Sequence, residues 1–310
     1  MLQDGELVMS RPFVVAEPGT TAAALLGGGR PDPAPGKVSL AHRGVLLMDE
    51  FPEFPRPLLE RLRGPLQDRR VVVSRFAGAA EFPAAFILVA AMNPCFCSYY
   101  GEYLCPTCGR VLSQDEVKCT CSTSARPRHR CTCGAGARRR FEQLLSGPLE
   151  DRIHVKTRVY SSDAALSLKA SGEKSSTIRR RVQRARERQA GRFQPERRGS
   201  RRLLNSEVEA PDEVALYFAL TDGANQLASG MNRLLPYPVS MRNRVQTLAV
   251  ARTLADLAGK EQMSAWHIAE AALRYTRPLL ADIEERKQLP MDEAALLQKA
   301  GVREREGAWR

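Results

Sequence analysis

The chain has 310 residues, enough for about two domains with a sizeable core, and its 43% apolar content excludes a wholly disordered protein. No apolar run approaches the roughly 20 residues that cross a bilayer, and the acidic N-terminus lacks the apolar stretch of a secretory signal, so we expect a cytoplasmic protein without a membrane partner. The net charge of +12 fits two alternatives, a polyanionic partner such as DNA or RNA and a merely basic soluble surface.

The first half of the chain alternates between strand and helix patterns, as is typical of an α/β fold. Residues 1–37 are rich in Gly and Pro and are expected to form loops. Residues 44–48 and 86–92 are short apolar runs closed by polar residues, which predicts two buried strands of a parallel sheet. Between them, residues 55–68 have apolar side chains at helical spacing, and residues 69–82 have the pattern of a β-hairpin.

The second half is mostly helical. The cysteine-rich stretch 95–133 has little hydrophobic periodicity, whereas a helix is expected over 141–149. Residues 172–206 are polar and basic, which favours one long helix followed by a loop, and residues 211–281 have a helical pattern throughout. We therefore divide the chain into a partial α/β core (1–160) that includes the insertion 95–133, a basic helical linker (161–210), an α-helical domain (211–281) and a charged tail (282–310).

Polar residues close both predicted strands. Asp49 and Glu50 follow the first strand directly, and Asn93 follows the second. In ATP-driven enzymes an Asp at such a strand end holds Mg²⁺, directly or through water, and an adjacent Glu orients and deprotonates the attacking water. Because parallel sheets bind ligands at their carboxyl edge, these residues form a candidate hydrolytic site. An apolar run that ends in two acids also occurs at helix starts, which is the alternative interpretation.

Several longer motifs occur in a characteristic order. They read SLAHRGVLLMDE (39–50), FPEFPR (51–56), VAAMNPC (89–95), SGPLEDRI (146–153), SMR (240–242), VARTLADL (250–257) and HIAEA (267–271). In these motifs the chain resembles the Mg-chelatase-like AAA+ proteins of the ComM/YifB type, over roughly residues 10–280. The resemblance implies an α/β fold with a partial AAA+ P-loop NTPase core built on a parallel sheet, a zinc-type cysteine-rich insertion, and a small all-α lid domain.

The resemblance also implies roles for five residues, with ATP and Mg²⁺ as cofactors and a ring, hexameric in the family, as the assembly. Asp49 and Glu50 match the Walker B pair, and Asn93 matches sensor 1. Arg152 matches the arginine finger that reaches a neighbouring subunit's nucleotide, and Arg242 matches the sensor 2 arginine of the lid. Cations suit both positions because the transition state spreads negative charge over the γ-phosphoryl oxygens. From the residues alone, Arg152 also fits a surface salt bridge, and Arg242 a solvent-facing residue at a helix start.

The phosphate-binding loop of such enzymes, Gly-x4-Gly-Lys-Ser/Thr, does not occur in the 310 residues. The dipeptides Gly36-Lys37 and Gly259-Lys260 both lack the following Ser or Thr. The chain therefore looks like a truncated gene product or a degenerate homologue. Since the loop supplies the backbone amides and the Lys that hold the phosphates, we expect weak ATP binding and negligible hydrolysis by this polypeptide alone. We also expect an exposed sheet edge.

Eight cysteines occur in four close pairs, which are Cys95/Cys97, Cys105/Cys108, Cys119/Cys121 and Cys131/Cys133. The Cys-x2-Cys-Gly sequence at residues 105–109 is typical of a zinc knuckle, because the Gly lets backbone N–H groups face the sulfur atoms. Tetrahedral zinc takes four thiolates, so the eight cysteines suffice for two ions. Free thiols are the alternative, and the pattern does not say which four cysteines share an ion.

A strongly basic segment runs from Arg179 to Arg202, with eleven arginines and two glutamates. Because nearly all of these charges are positive, the segment favours phosphate contacts over a solvated helix face. Arginines in the hairpin 69–82 add to the positive charge. We expect a DNA-acting ATP-driven motor subunit, for DNA remodelling or branch migration. The alternatives are a Mg-chelatase-type ATPase chaperone for metal insertion, acting on a protein partner and a porphyrin, and a non-catalytic, zinc-stabilised remnant.

Overall fold

The structure is a computed structural model that describes most of the chain. The described residues are 2–3, 6–7, 10–29, 31–75, 78–108, 110–113, 119, 121, 128–142, 147–157, 159, 172–193, 204–234 and 239–276. Contacts divide the chain into two compact units, the first comprising Met1–Gly101 and His129–Ile153 and the second comprising Glu102–Arg128 and His154–Arg310. The predicted tail 282–310 and much of the predicted linker 161–210 lie outside the described residues.

The first unit combines short strands and short helices. Its strands are β1 (Leu2–Gln3), β2 (Glu6–Leu7), β3 (Phe13–Ala16), β4 (Gly27–Gly28), β5 (Ala34–Pro35), β6 (Val45–Met48), β7 (Arg70–Arg75), β8 (Gly78–Pro83) and β9 (Ile87–Ala90). Its helices are α1 (Ala22–Leu26), α2 (Lys37–Leu40), α3 (Arg56–Arg61), α4 (Arg63–Asp68), α5 (Ala135–Glu142) and α6 (Gly147–Glu150), with a 3₁₀ turn at Phe51–Glu53.

Three strands of this unit form a parallel sheet in the order β3-β6-β9. The register places Val14 beside Leu46 and Leu46 beside Leu88. The strand that ends in the acid pair therefore lies between the other two, and the second predicted strand, 86–92, is its direct neighbour. The prediction of an α/β fold with a parallel sheet is confirmed.

Strand β3 corrects the expectation that residues 1–37 form loops. It is a run of four residues, Phe13-Val14-Val15-Ala16, that follows Pro12 directly. Gly and Pro dominate the composition of the segment, but they bound this strand and do not interrupt it. Helix α1 also lies in the segment, and the hydroxyl of Thr21 caps it by accepting the backbone N–H of Ala24 at 3.2 Å.

The sheet has one packed face and one exposed face, because side chains alternate along each strand. On the packed face Ala16, Leu46 and Met48 are fully buried. They pack with helix and turn residues that include Leu25, Val38, Phe51, Phe54, Leu58, Leu59, Leu62 and Leu149. On the other face Phe13 is 66% exposed and Ile87 is 53% exposed. The core of the first unit therefore lies on one side of the sheet.

The helix predicted over 55–68 forms as two shorter helices, α3 and α4, that meet at Leu62. Pro65 explains the break, because it has no N–H for the carbonyl of Arg61 and its ring crowds that carbonyl. The predicted hairpin is present as β7 and β8, which pair from Arg70 opposite Pro83 onwards.

The cysteine-rich stretch contains a small sheet. Strands β10 (Glu102–Leu104) and β11 (Val111–Ser113) form an antiparallel hairpin, and β12 (Arg128–His129) lies on the other side of β10. The backbone N–H of Cys105 donates to the carbonyl of Arg110 at 2.9 Å, which closes the hairpin. Local structure is thus present in a segment whose sequence shows little periodicity.

The rest of the second unit is helical over its described residues, as the pattern in 211–281 predicts. The helices are α7 (Ser175–Arg192), α8 (Pro211–Tyr217), α9 (Asp222–Ser229), α10 (Met231–Leu234), α11 (Met241–Leu257) and α12 (Ala265–Glu270), which continues into a π-helical turn at Ala271–Tyr275. A 3₁₀ turn occurs at Asn205–Glu207. Within the described residues, none of the helices has both the length and the apolar character needed to cross a membrane.

A buried ionic network joins α7, the 3₁₀ turn and α11. The carboxylate of Asp256 accepts two bonds from Arg192, at 2.5 and 3.0 Å, and one from Arg252, at 3.1 Å. It also accepts from the side-chain amide of Asn205 at 2.9 Å. The fully buried Arg252 donates to two carbonyl oxygens of the turn after α11, at 2.6 and 2.7 Å. Burial lowers the pKa of Arg252, and the charge of Asp256 opposes that shift.

Candidate functional site

The acid pair lies at the carboxyl edge of the parallel sheet, where two strand ends are bonded together. The backbone N–H of Ala91 donates to the carbonyl of Met48 at 3.0 Å, and that of Phe51 donates to the carbonyl of Ala91 at 2.9 Å. Asp49 and Glu50 are exposed between these bonds. The structure thus places the acid pair at the expected edge.

Asn93 lies two residues beyond Ala91, on the segment that leaves β9, and it is exposed. Because β6 and β9 are paired up to Met48 and Ala90, their ends leave the sheet side by side. The structure therefore brings the segments of Asp49, Glu50 and Asn93 together, whereas the sensor 1 role of Asn93 stays a prediction.

Glu50 adopts a left-handed backbone conformation, with φ 48° and ψ 44°. The carboxylate of Asp49 accepts the N–H of Glu50 at 2.8 Å, and the carbonyl of Glu50 accepts the N–H of Glu53 at 2.8 Å. A non-Gly residue in this region costs about 1–2 kcal/mol, and such strain persists where the surroundings fix the backbone, often at functional sites. The acid pair thus lies in a hydrogen-bonded turn directly after β6.

Carboxylate oxygens are the ligands that Mg²⁺ prefers, and two exposed acids leave room for water molecules in its shell. The acid pair therefore fits the metal side of a Mg²⁺–nucleotide site. The phosphate side is not supplied by the dipeptide Gly36-Lys37, because the ammonium of Lys37 donates to the carbonyl of Val15 at 2.7 Å. With no phosphate-binding loop in the 310 residues, the residues present supply half of the candidate nucleotide site, and nucleotide binding there stays a prediction.

Arg152 belongs to the same unit as the acid pair and follows α6. Its guanidinium donates to the side-chain oxygen of Gln67 at 2.6 Å and to the carbonyl of Pro148. These contacts hold the half-buried side chain against α4. Arg242 belongs to the other unit, where it is exposed in the first turn of α11, whose cap is the hydroxyl of Ser240. The finger and sensor 2 roles stay predictions.

The eight cysteines form two groups of four. We call Cys95, Cys97, Cys131 and Cys133 the outer quartet, and Cys105, Cys108, Cys119 and Cys121 the inner quartet. In each quartet the four sulfur atoms lie within 4.8 Å of one another. All eight residues are free cysteines. Either group has the donor set and the count of a tetrahedral thiolate metal site.

Charge explains why a quartet suits a cation. Hydrogen bonds from the backbone N–H groups of Cys108 and Thr107 lower the pKa of Cys105 to about 6, as expected for a knuckle turn. In contrast, the hydrogen bond with Cys108 raises the pKa of Cys121, and burial raises that of Cys131 to about 12. Neighbouring sulfur atoms compete for negative charge, so four thiolates form together only when a metal ion neutralises them.

The basic segment is described over residues 172–193. Helix α7 has seven arginines and one glutamate, and it is buried only at Ala185 and Gln189. Arg180, Arg184 and Arg188 lie on one side of it, along an open cleft of about 780 Å³ that the turn after α11 also borders. This row of arginines, which we call the arginine row, is the strongest positive feature of the described surface of α7.

Some contacts of these residues carry no signal in the sequence. Gln67 and Arg152 are 85 positions apart, and nothing in the local pattern of either residue predicts their hydrogen bond. Glu173 pairs with Arg181 at 3.0 Å through both guanidinium nitrogens. Glu173 lies before α7, and residues eight apart on a helix are about two turns apart, so helical spacing does not predict this pair either.

Comparison with known proteins supports a single family. The family model described as "Magnesium chelatase, subunit ChlI" matches residues 1–114 and 112–166, and that described as "Magnesium chelatase, subunit ChlI C-terminal" matches residues 172–275. The chain is 35% identical over 257 residues to an uncharacterized protein of Mycobacterium tuberculosis. It is 34% identical over 265 residues to the competence protein ComM of Haemophilus influenzae, and 32% identical over 263 residues to the protein YifB of Escherichia coli.

These alignments cover 83% or 84% of the chain but 44% of each relative, so the chain spans less than half the length of these relatives. The motifs that carry the resemblance, the parallel sheet with its acid pair, and the match of both family models agree. The chain belongs to the Mg-chelatase-like family of AAA+-type proteins, and within it to the ComM/YifB type.

Proposed function

We propose that the chain is part of an ATP-driven motor subunit that acts on DNA within a ring, hexameric as in the intact family. The arginine row of α7 carries the proposal for DNA. A subunit that inserts metal into a porphyrin has no evident use for such a surface, whereas a DNA-acting motor does. The name of the relative ComM, a competence protein, points the same way.

The spacing of the arginine row suits a phosphate backbone. Residues four apart lie on the same face of a helix, with a rise of about 6 Å between them. Arg180, Arg184 and Arg188 are exposed, and like charges at this spacing destabilise a helix. An anion removes that repulsion, and a DNA strand presents one phosphate per about 3.4 Å of its axis. A polyanionic strand therefore matches the row in charge, and every second phosphate, about 6.8 Å along the axis, comes close to the repeat of about 6 Å between the arginines.

Salt dependence tests this assignment. The binding constant of the chain for a fluorescent duplex is measured from low to moderate salt, together with the variant Arg180→Ala/Arg184→Ala/Arg188→Ala. Three lost phosphate contacts reduce the slope of log K against log salt by about 2.7. The matched control, Arg179→Ala/Arg186→Ala, removes two arginines from the opposite flank of the same helix and leaves the slope closer to that of the parent chain. Equal slopes for the parent and the triple variant would refute the assignment.

For the nucleotide, Asp49 would hold Mg²⁺ and Glu50 would orient water, with Asn93 beside the γ-phosphate. Arg152 and Arg242 would supply cations to a neighbour's nucleotide and to the subunit's own. When bound, ATP supplies the free energy of phosphoryl transfer, and no hydrolytic step is assigned to this polypeptide alone because it has no phosphate-binding loop.

An ATPase assay with and without DNA separates this proposal from two other functions. ATPase activity stimulated by DNA supports the DNA motor, and activity indifferent to DNA supports a chaperone for metal insertion. The missing phosphate-binding loop favours a third candidate, a non-catalytic zinc-stabilised module, for which no activity is expected with or without DNA. Because this polypeptide alone is expected to hydrolyse ATP negligibly, the assay joins the 310-residue chain to a segment that carries the family's phosphate-binding loop, and Glu50→Gln, which removes the water-orienting carboxylate, serves as the blank.

We also assign zinc to the cysteines. Thiolates select soft or borderline ions, and tetrahedral four-thiolate sites are typical of structural zinc. Such ions would supply folding free energy to the insertion 95–133, whose described core consists of Cys105, Leu112 and Cys119 with Tyr103 packed against them.

A further inference from the structure

Distances between sulfur atoms show how the cysteines are grouped. In the outer quartet, the sulfur atom of Cys97 lies 3.3 Å from that of Cys95 and 3.5 Å from that of Cys131. In the inner quartet, the sulfur of Cys121 lies 3.2 Å from that of Cys119 and 3.5 Å from that of Cys105. A disulfide bond measures about 2.05 Å, whereas a tetrahedron with zinc–sulfur bonds of about 2.3 Å has sulfur atoms roughly 3.8 Å apart. The spacing therefore fits metal ligands.

The two quartets are nested along the chain. The outer quartet combines the first and last cysteine pairs, so it joins the two ends of the insertion, with Cys97 and Cys131 34 positions apart. The inner quartet combines the two middle pairs, with Cys105 and Cys121 16 positions apart. An ion in the inner quartet closes the short loop 105–121 at the β10–β11 hairpin. An ion in the outer quartet closes the longer loop 95–133, which contains the short one.

The outer quartet begins two residues after Asn93 along the chain. Its first member, Cys95, is 2% exposed. Two residues before Asn93, the N–H of Ala91 donates to the carbonyl of Met48 at the end of β6, at 3.0 Å. The carbonyl of Ala91 accepts the N–H of Phe51 in the following turn, at 2.9 Å. The segment that carries Asn93 is therefore tied to the sheet at one end and to the outer quartet at the other.

Ring contacts add to this anchor within the same unit. The ring of Phe96 meets that of Phe141 edge to face, with centroids 5.5 Å apart, and the guanidinium of Arg130 lies 3.8 Å from the centre of the Tyr99 ring. The second contact joins the stretch that follows Asn93 to the far end of the insertion, where the second cysteine pair of the outer quartet lies. The first contact joins the same stretch to α5, which follows that cysteine pair.

We propose that the chain binds two zinc ions with different roles: the outer ion positions the segment of Asn93, and the inner ion only folds the β10–β11 hairpin. The inference rests on the zinc assignment made under the proposed function. It adds the partition of the cysteines and the link from one ion to the candidate site. The outer cysteines are positioning residues for Asn93 and do not themselves contact a nucleotide.

Zinc content and amide exchange test the proposal on the full chain. The parent chain, purified without chelator, is compared with Cys131→Ser and Cys119→Ser, and Thr132→Ser serves as a control that keeps every sulfur atom. We expect about two zinc ions in the parent and control and about one in each cysteine variant. In Cys131→Ser the amides of residues 91–97 exchange faster by roughly tenfold or more, because opening them no longer breaks a metal–thiolate bond.

The variants separate the two assignments. In Cys119→Ser the amides of residues 102–113 exchange faster, while those of 91–97 keep the parent rate. Replacement of zinc by Co²⁺ gives a spectroscopic check, since each four-thiolate site adds its own sulfur-to-metal absorption and the titration should end at two equivalents. Absence of zinc from the parent chain would reject both the zinc assignment and this inference. Two outcomes would overturn this inference but leave the zinc assignment standing. In one, the loss of either ion speeds amide exchange equally in residues 91–97 and 102–113, and in the other, a single cysteine variant loses both ions.

Discussion

Removal of Asp256 should be among the most damaging single substitutions in the second unit. The Asp256→Ala change deletes a carboxylate that is fully buried and that accepts bonds from Arg192, Arg252 and Asn205. The side chains of Arg252 and Arg192 are 0% and 13% exposed, so Arg252 is fully buried and Arg192 is mostly covered. The variant therefore leaves one buried and one partly buried positive charge without their counter-ion.

The expected cost follows from that arrangement. Breaking a buried ion pair by removing one partner destabilises a protein by about 3–5 kcal/mol, because the remaining charge is uncompensated. Two guanidinium groups share this carboxylate, so we expect the upper part of that range. Since the total stability of a domain is about 5–15 kcal/mol, the variant should be close to unfolding at room temperature.

Tryptophan fluorescence in urea reads out this unit by itself. The chain has two tryptophans, so the Trp309→Phe background leaves Trp266, which packs against the helical core. Asp212→Ala is the matched control, because Asp212 is an exposed acid in the first turn of α8 and its loss should cost less than about 1 kcal/mol. In Asp256→Ala/Arg252→Met one orphaned charge is gone, so the double variant should lose less than the sum of its single changes. An Asp256→Ala chain within 1 kcal/mol of its parent, a rough threshold for a surface change, would refute the network's role.

Three further predictions concern the first unit. A Cβ on Gly44 would lie 2.0 Å from the carbonyl oxygen of Pro12, so Gly44→Ala should cost about 1–3 kcal/mol or more. Gly64 lies in α4 with nothing within 4 Å of the new Cβ, so Gly64→Ala should stabilise the protein by about 0.5–1 kcal/mol. Urea unfolding followed by far-UV circular dichroism measures the free energy of unfolding of both variants. Changes of the same sign in the two variants would contradict the reasoning. In calorimetry the 310-residue chain should show no saturable ATP binding up to about 1 mM, and a dissociation constant near 1 μM would contradict the half-site interpretation.

The sequence predicts the parallel sheet well where apolar runs end in polar residues. The strands at 44–48 and 86–92 are bounded in this way, and their adjacency follows from parallel α/β topology. Strand β3 was missed because Pro12 precedes it and a Gly- and Pro-rich segment surrounds it, so composition outweighed a run of four residues. The split at Leu62 is visible only when the effect of Pro65 on the preceding turn is considered.

Helix α7 carries three apolar residues, Ile178, Val182 and Ala185, at positions that share one side of a helix. Ala185 is buried, while Ile178 and Val182 are 39% and 40% exposed. An apolar stripe in a sequence indicates which face can pack, but tertiary contacts decide how much of it does.

The candidate site, too, is predictable from the sequence only in part. The shared edge of Asp49, Glu50 and Asn93 is predictable, because the topology of a parallel sheet brings successive strand ends to one side. The partition of eight cysteines into quartets is not predictable, since every pairing of close pairs is compatible with the spacing. It depends on the path of the insertion, which the sequence pattern does not determine.

The acid pair owes its position to the core of the first unit and not to a ligand. Met48 before it is 0% exposed and Phe51 after it is 1% exposed, so both ends of the turn are fixed by packing. Two buried anchors three residues apart leave the chain between them little freedom, which explains how Glu50 stays in a left-handed conformation that costs about 1–2 kcal/mol. Packing thus fixes the backbone of the acid pair without a ligand. If a phosphate-binding loop is supplied to this edge, we therefore expect the backbone of the acid pair to stay in place.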